Sequence, residues 1–251
     1  MVMDIKIDVQ TRDLQKQFRK LSSGDIPDVT AVALNRVAFN GKKAVRDRMK
    51  EVFDNPNPFT LNGFFVRPAT PKDLNAWVAS KDYAPGGTPA IRYLGPEIYG
   101  GPRDMKKSEK ALRAISGGQY WIPGPGAPLD RYGNIRPGEI TRILSRLSLL
   151  HDAASNITDR TTKRLGKRGQ LAKGQRSEYF IAREGRNGRP RGIFKYVGPG
   201  KVVAVLWFTP KQPTYRAILP VPDIIEATSR RDLPRVLAAA IRKVLRERVK
   251  S

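Results

Sequence analysis

Between residues 28 and 53, apolar side chains recur on alternating three- and four-residue steps: Leu34, Ala38, Gly41, Val45, Met49 and Val52. At 3.6 residues per turn these positions form one stripe of an α-helix, with Arg36, Lys43, Asp47 and Lys50 on the other side. Pro27 just ahead of Asp28 suits a helix start in which Asp28 caps the free amides. Asn40-Gly41 is a turn dipeptide in other settings, and an interior glycine costs about 1 kcal/mol against alanine. The stripe resumes in phase at Val45, so the pattern predicts one helix, bent at most. Asn55-Pro56-Asn57-Pro58 ends it. This is the longest helical run in the sequence, and the rest is expected to pack on it or hang from it.

Shorter patterns flank it. Met3, Ile5, Ile7 and Val9 alternate with polar residues as in a half-buried strand, and Leu14, Phe18 and Leu21 follow at helical spacing. Residues 64–67 and 76–80 read as two strands across a turn at 68–71 marked by Pro68 and Pro71. Residues 137–150 read as a helix with Ile140, Ile143, Leu144 and Leu147 on one side. Segments 178–183, 192–197, 202–208 and 215–219 are rich in β-branched and aromatic residues and predict four strands. Turns at 185–188 and 198–200 favour a meander. The run 202–208 does not alternate, which predicts a central strand covered on both faces. Asp232 is placed to cap a last helix with Leu233, Leu237, Ala240, Val244 and Leu245 inward and Arg242, Lys243, Arg246 and Arg248 outward, docked on the sheet. The expected class is α+β: a mainly antiparallel sheet against a long N-terminal and a C-terminal helix.

Between 84 and 138 the regularity fails, since nineteen of these fifty-five residues are glycine or proline. Only 105–115 reads as a helix, so the stretch predicts an inserted arm or long functional loop. Tyr83, Tyr93, Tyr99, Tyr120, Trp121 and Tyr132 are spaced through it. Rigid aromatics on such a frame suit a subunit interface, for which Tyr93, Tyr99, Tyr120, Trp121 and Tyr132 are the candidates, or they pin the arm to its own domain. The segment 160–176 has seven basic residues, no acid and three glycines, and predicts a mobile loop unless an anion holds it. The expected division is a core of 1–83 and 178–251, an arm of 84–150 and a basic flexible loop of 151–177.

Charge narrows the function. The 251 residues carry 47 Lys and Arg against 23 Asp and Glu, a formal net charge of +24. Such self-repulsion calls for a polyanion or an acidic partner nearby. Arg160, Lys163, Arg164, Lys167, Arg168, Lys173 and Arg176 are candidates to neutralise phosphates without reading bases, or to meet an acidic protein surface. No cysteine is present, so disulfides, thiol catalysis and Cys-ligated metals are excluded. Asp4, Lys6 and Asp8 interrupt any leader-like apolar run, and no stretch is long enough to span a membrane, which predicts a protein kept in the cytosol or in something assembled there.

Catalytic sets are not suggested. The single histidine, His151, falls where a helix ends and is expected to serve free carbonyls. Gly198-Pro199-Gly200-Lys201 precedes a strand, whereas a phosphate-binding loop follows one, so it reads as a turn. Asp28 and Asp104 give the nearest approach to a magnesium nuclease and look like a helix cap and a loop residue. No enzyme activity, cofactor or metal is expected.

The order of strand, short helix and long helix near Ala33-Leu34-Asn35-Arg36-Val37-Ala38, then strands and a last helix opened by Arg231-Asp232-Leu233-Pro234-Arg235, resembles the minor tail protein Z family of long-tailed bacteriophages. The resemblance covers about residues 1–55 and 178–250. It implies a non-enzymatic virion protein that completes the head-proximal end of the tail and joins it to the head, assembled in the host cytoplasm. Its implied partners are further copies in a ring, six being the simplest number, other neck and tail proteins, and the DNA in the tail channel. A sequence-independent nucleic-acid-binding protein is the alternative.

Overall fold

The 28–53 periodicity becomes α1 (Asp25–Val52), unbroken through Asn40-Gly41. The computed structural model describes residues 24–85, 88–171, 173–185 and 188–250, the side chains of 137 and 248–250 excepted; the strand expected at 3–9 and the helix at 14–21 lie outside them. After α1 come α2 (Pro58–Leu61), β1 (Phe64–Arg67), β2 (Trp77–Ser80), α3 (Ala90–Tyr99), β3 (Gly101–Pro102), α4 (Lys107–Ala111), α5 (Arg113–Ser116) and β4 (Tyr120–Pro123). Then follow α6 (Pro137–Arg146), α7 (Asp159–Lys167), β5 (Tyr179–Arg183), β6 (Pro190–Gly198), β7 (Lys201–Thr209), β8 (Thr214–Tyr215) and α8 (Val221–Lys250). The protein is α+β with antiparallel pairing throughout the registered strands.

The chain forms two units, one of Met1–Gly101 with Tyr215–Ser251, the other of Pro102–Thr214. This differs from the expected partition: the large sheet lies with most of the glycine-rich stretch and the basic segment in the second unit, while the two long helices share the first. Even spacing of motifs along a sequence does not reveal which distant segments close on each other.

In the first unit α1 packs along α8 and against the β1–β2 hairpin. Ala38, Val45, Met49, Phe64, Val78, Leu94, Ile98, Leu219 and Ile225 form its main core, and Val29 and Ile241 anchor a second cluster. Gly41 is where α1 approaches α8 closely, since a Cβ there would lie 3.6 Å from Ile225 Cγ2. Beside it the Asn40 amide donates to Asp232 Oδ2 at 2.8 Å. The turn dipeptide is therefore an inter-helix contact, its poor helix propensity offset by packing. Asp28 is exposed and caps nothing: the helix begins three residues earlier, and Pro27 sits in a first turn whose amides lack partners anyway.

Two expectations for this unit need correction. The C-terminal helix starts at Val221, not Asp232, and runs through Pro234, because Ile225, Thr228 and Ser229 are buried and hold the earlier turns in place. It docks on α1 rather than on the large sheet. Segment 215–219 is not a strand of that sheet either. Only Tyr215 is in β8, which pairs with β3, and the amides of Ile218 and Leu219 both donate to the Glu97 carbonyl at 2.9 Å. That carbonyl belongs to α3, a helix that Gly95 and Pro96 hid in the sequence.

In the second unit the sheet order is β4-β7-β6-β5. The meander β5-β6-β7 is as the turns predict, and the fourth strand, β4, comes from the glycine-rich stretch. Strand β7 is central, but the expected cover on both faces is not found: Ala204, Val205 and Leu206 are buried in succession at a register slip, while Trp207 on the outer face belongs to no buried cluster of the described residues. The register slips by one between Ile193 and Phe194. Gly192, at that slip, comes so close to β7 that a Cβ would fall 2.1 Å from the Leu206 carbonyl oxygen. One sheet face, with Trp121, Tyr179, Ile193 and Leu206, packs with Leu112 before α5 and Ile143 of α6. The predicted helix at 105–115 is split into α4 and α5, and α6 ends at Arg146 rather than at 150.

Candidate polyanion-binding surface

Basic charge is concentrated in the second unit. Residues 102–214 hold 23 Lys and Arg against 8 Asp and Glu, a net charge of +15 within the total of +24. The segment expected to be a mobile loop contains most of helix α7, which a few local contacts stabilise. Thr158 Oγ1 accepts from the Thr161 amide at 3.3 Å and caps the start. Leu165 is buried as its one apolar anchor, and Thr162 Oγ1 donates to the Arg176 carbonyl at 2.9 Å.

That seating orients the cations. Arg160, Lys163, Arg164 and Lys167 follow the i, i+3, i+4, i+7 spacing that lines one helix face, opposite Leu165, and all four are exposed. Their stripe is about 10 Å long at about 1.5 Å per residue. Arg168, Lys173 and Arg176 are exposed beyond the helix, and Arg176 pairs with Asp159 at 2.7 Å. Like charges at these spacings repel, each pair by about 0.2–0.5 kcal/mol in an isolated helix, and a bound polyanion removes that penalty.

The aromatic interface candidates are not brought together. Tyr93 and Tyr99 lie on α3 in the first unit, both exposed, with the Tyr93 hydroxyl 2.9 Å from Thr60 Oγ1. In the second unit, Tyr120 lies under the Arg103 guanidinium, 5.3 Å from its ring centroid, and half-buried Tyr132 lies under that of Arg131 at 4.8 Å. Trp121 is a core residue, 6% exposed, so it is not available to another subunit; strand alternation on β4 turns it inward beside its neighbour.

Acidic groups near this surface have structural partners. Glu139 is buried and accepts from the Tyr179 hydroxyl, whose proton is held more tightly than usual, first by burial and then by that carboxylate. Arg146 Nε donates to Glu178 Oε1 at 3.2 Å; its 3.1 Å contact with Oε2 is ionic, without hydrogen-bond geometry. His151 is exposed in a shallow recess with Thr141, Arg142, Ser145 and Asp152. Asp28 and Asp104 are exposed and belong to different units, and no group of three possible metal ligands occurs among the described residues. Gly198-Pro199-Gly200 is the β6–β7 turn, with Gly200 at φ +70°. No helix among the described residues is long and apolar enough to cross a membrane.

The outer face of the sheet was not legible beforehand. Phe180, Phe194 and Trp207 share it, and only their register, fixed by cross-strand pairing, brings them together. No family model, curated protein or solved structure matches the chain.

Proposed function

We propose that this protein acts by contact rather than by turnover: a non-enzymatic structural subunit that seats α7 against a polyanion, in the tail-completion or neck region of a long-tailed phage virion. The observation that carries the polyanion contact is the exposed stripe Arg160, Lys163, Arg164 and Lys167 on a helix held by only one buried side chain. The setting rests on the resemblance at residues 33–38 and 231–235. Both motifs help hold the first unit: Asn35 clamps the Ala69 backbone with bonds of 2.9 and 2.6 Å, and Asp232 accepts from Asn40. In this reading α7 meets channel DNA or the acidic lining of neighbouring rings, and copies assemble around the tail.

The test combines particle and solution measurements. The chain should co-purify with virions and self-associate at high concentration. In solution it should bind duplex DNA without sequence preference, with affinity falling steeply in salt. Replacing the four stripe residues by alanine should reduce the log–log salt slope by about 3–4. A monomer absent from purified particles ends the virion reading. Retained salt-dependent binding would then favour the alternative, a free sequence-independent nucleic-acid-binding protein; no binding at low salt ends that alternative.

A further inference from the structure

The outer face of the four-stranded sheet carries a row that crosses every strand. Ile122 on β4 is the register partner of Trp207 on β7, and Phe180 on β5 is the partner of Phe194 on β6. Phe194 and Trp207 meet edge-on, centroids 5.1 Å apart at 86°, and Phe180 and Phe194 lie 6.1 Å apart. Three strand spacings of about 4.8 Å make the row about 14 Å long. Phe180, Phe194 and Trp207 are half-buried and Ile122 is 50% exposed, and none of the four belongs to a buried cluster of the described residues. Ala182 and Gly192 are paired on the same face, so beside the Trp207 and Phe194 rings the floor rises no higher than a methyl group.

Charge identifies the occupant. Arg183, Arg189 and Arg191 are exposed around the β5–β6 turn at the end of the sheet, with Glu184 in the same turn, and Arg183 donates to the Gly188 carbonyl at 3.3 Å. The Arg191 guanidinium lies 5.9 Å from the Trp207 ring centroid. Aromatic rings with arginine at their margin, on a unit of net charge +15, offer π-faces to flat groups and cations to the backbone that links them. Bases inside a duplex are stacked on one another and cannot reach such a surface; unpaired bases can.

We propose that the face formed by Phe180, Phe194, Trp207 and Ile122 is a stacking surface for unpaired bases of a single-stranded nucleic acid. It is separate from α7, which reaches only backbone phosphates, and either surface can fail without the other. Two or three bases lie along the row, their phosphates toward Arg183, Arg189 and Arg191.

The experiment titrates the full chain with labelled oligo(dT), oligo(U) and a duplex of equal length. The double variant Phe180→Leu/Trp207→Leu, which keeps the face apolar but removes two π-faces, should weaken single-strand binding by about five- to hundredfold and leave duplex binding unchanged. The α7 tetra-alanine variant should weaken both. Similar losses for oligo(dT) and oligo(U) are expected from stacking, while a loss for one alone assigns the surface to DNA or to RNA. Unchanged single-strand affinity in the double variant, or a parallel loss of duplex binding, overturns the proposal and leaves the face to a protein partner. Ultraviolet cross-linking of the wild-type chain to oligo(dT) tests it without substitution. Adducts on peptides of β5, β6 or β7 are expected, and adducts absent or confined to α7 overturn it.

Discussion

Glu109 exposes none of its side chain, yet its carboxylate is fully engaged: Arg103 donates at 2.7 and 2.6 Å, the Lys106 amide at 2.6 Å and the Trp121 amide at 3.1 Å. Burial pushes this carboxyl up, but those donors outweigh it and hold the group below the usual carboxylate range. A depressed folded value means stability that is complete above the unfolded value, about 4.3, and lost as pH falls through the folded one. Denaturant melts of the full chain should show this acid-side loss, and Glu109→Gln should flatten it. Arg103→Ala leaves a buried carboxylate without its cation and should cost about 3–5 kcal/mol at neutral pH. Nothing in the sequence marks Glu109, because its partners converge only after β4 has joined the sheet. Gly41 was legible as a helical position but not as a contact. A Cβ there meets Ile225 at ordinary van der Waals distance, so Gly41→Ala should stabilise by up to about 1 kcal/mol in thermal melts. Gly41→Leu should overpack the helix pair and cost about 1–3 kcal/mol.

At the level of elements, periodicity served best where one face is buried and the other wet. The stripe of α1 follows from helical spacing, the hairpin β1–β2 from two short runs across a proline-marked turn, and β5 to β7 from β-branched and aromatic runs between glycine turns. It failed where the decisive partner was remote. Helix α3 was masked by Gly95-Pro96, although Ala90, Leu94 and Ile98 keep four-residue spacing and are buried. The first turns of α8 are hidden because Asp232 and Pro234 mimic a helix start. Helix α7 has one apolar anchor, too few for helical periodicity to show in the sequence. Leu165→Ala should therefore loosen α7 alone, with faster amide exchange in 159–167 and little change elsewhere in the unit. Polyphosphate added to the wild-type chain should slow exchange in the same window by relieving repulsion along the stripe. No protection on adding polyphosphate would argue against α7 as the anion-contacting element.

For the whole molecule, the two-unit division reassigns what the sequence grouped together. The second unit begins and ends at neighbouring points: the Arg103 amide donates to the Pro213 carbonyl at 3.1 Å, and on the first unit's side a Cβ on Gly100 would lie 3.6 Å from the Ala217 amide nitrogen. Replacing 102–214 by a short Gly/Ser linker should therefore leave the first unit folded, measured as retained helical circular dichroism and a cooperative melt. Loss of both would show that the first unit depends on the inserted one. The charge asymmetry makes the excised molecule less basic, and it should lose salt-dependent duplex binding with α7.

The pairing of α1 with α8 also sets a timetable for biosynthesis. Ribosomes add roughly 5–20 residues per second, so α1 emerges on the order of 10–40 s before its partner has been translated. During that interval Ala38, Val45 and Met49 have no α8 to cover them, and the inserted unit is being translated, its last residue separated from α8 by only six residues. A chaperone that shields apolar helices, or a delay in α1 formation until chain release, is the expected solution in the cell.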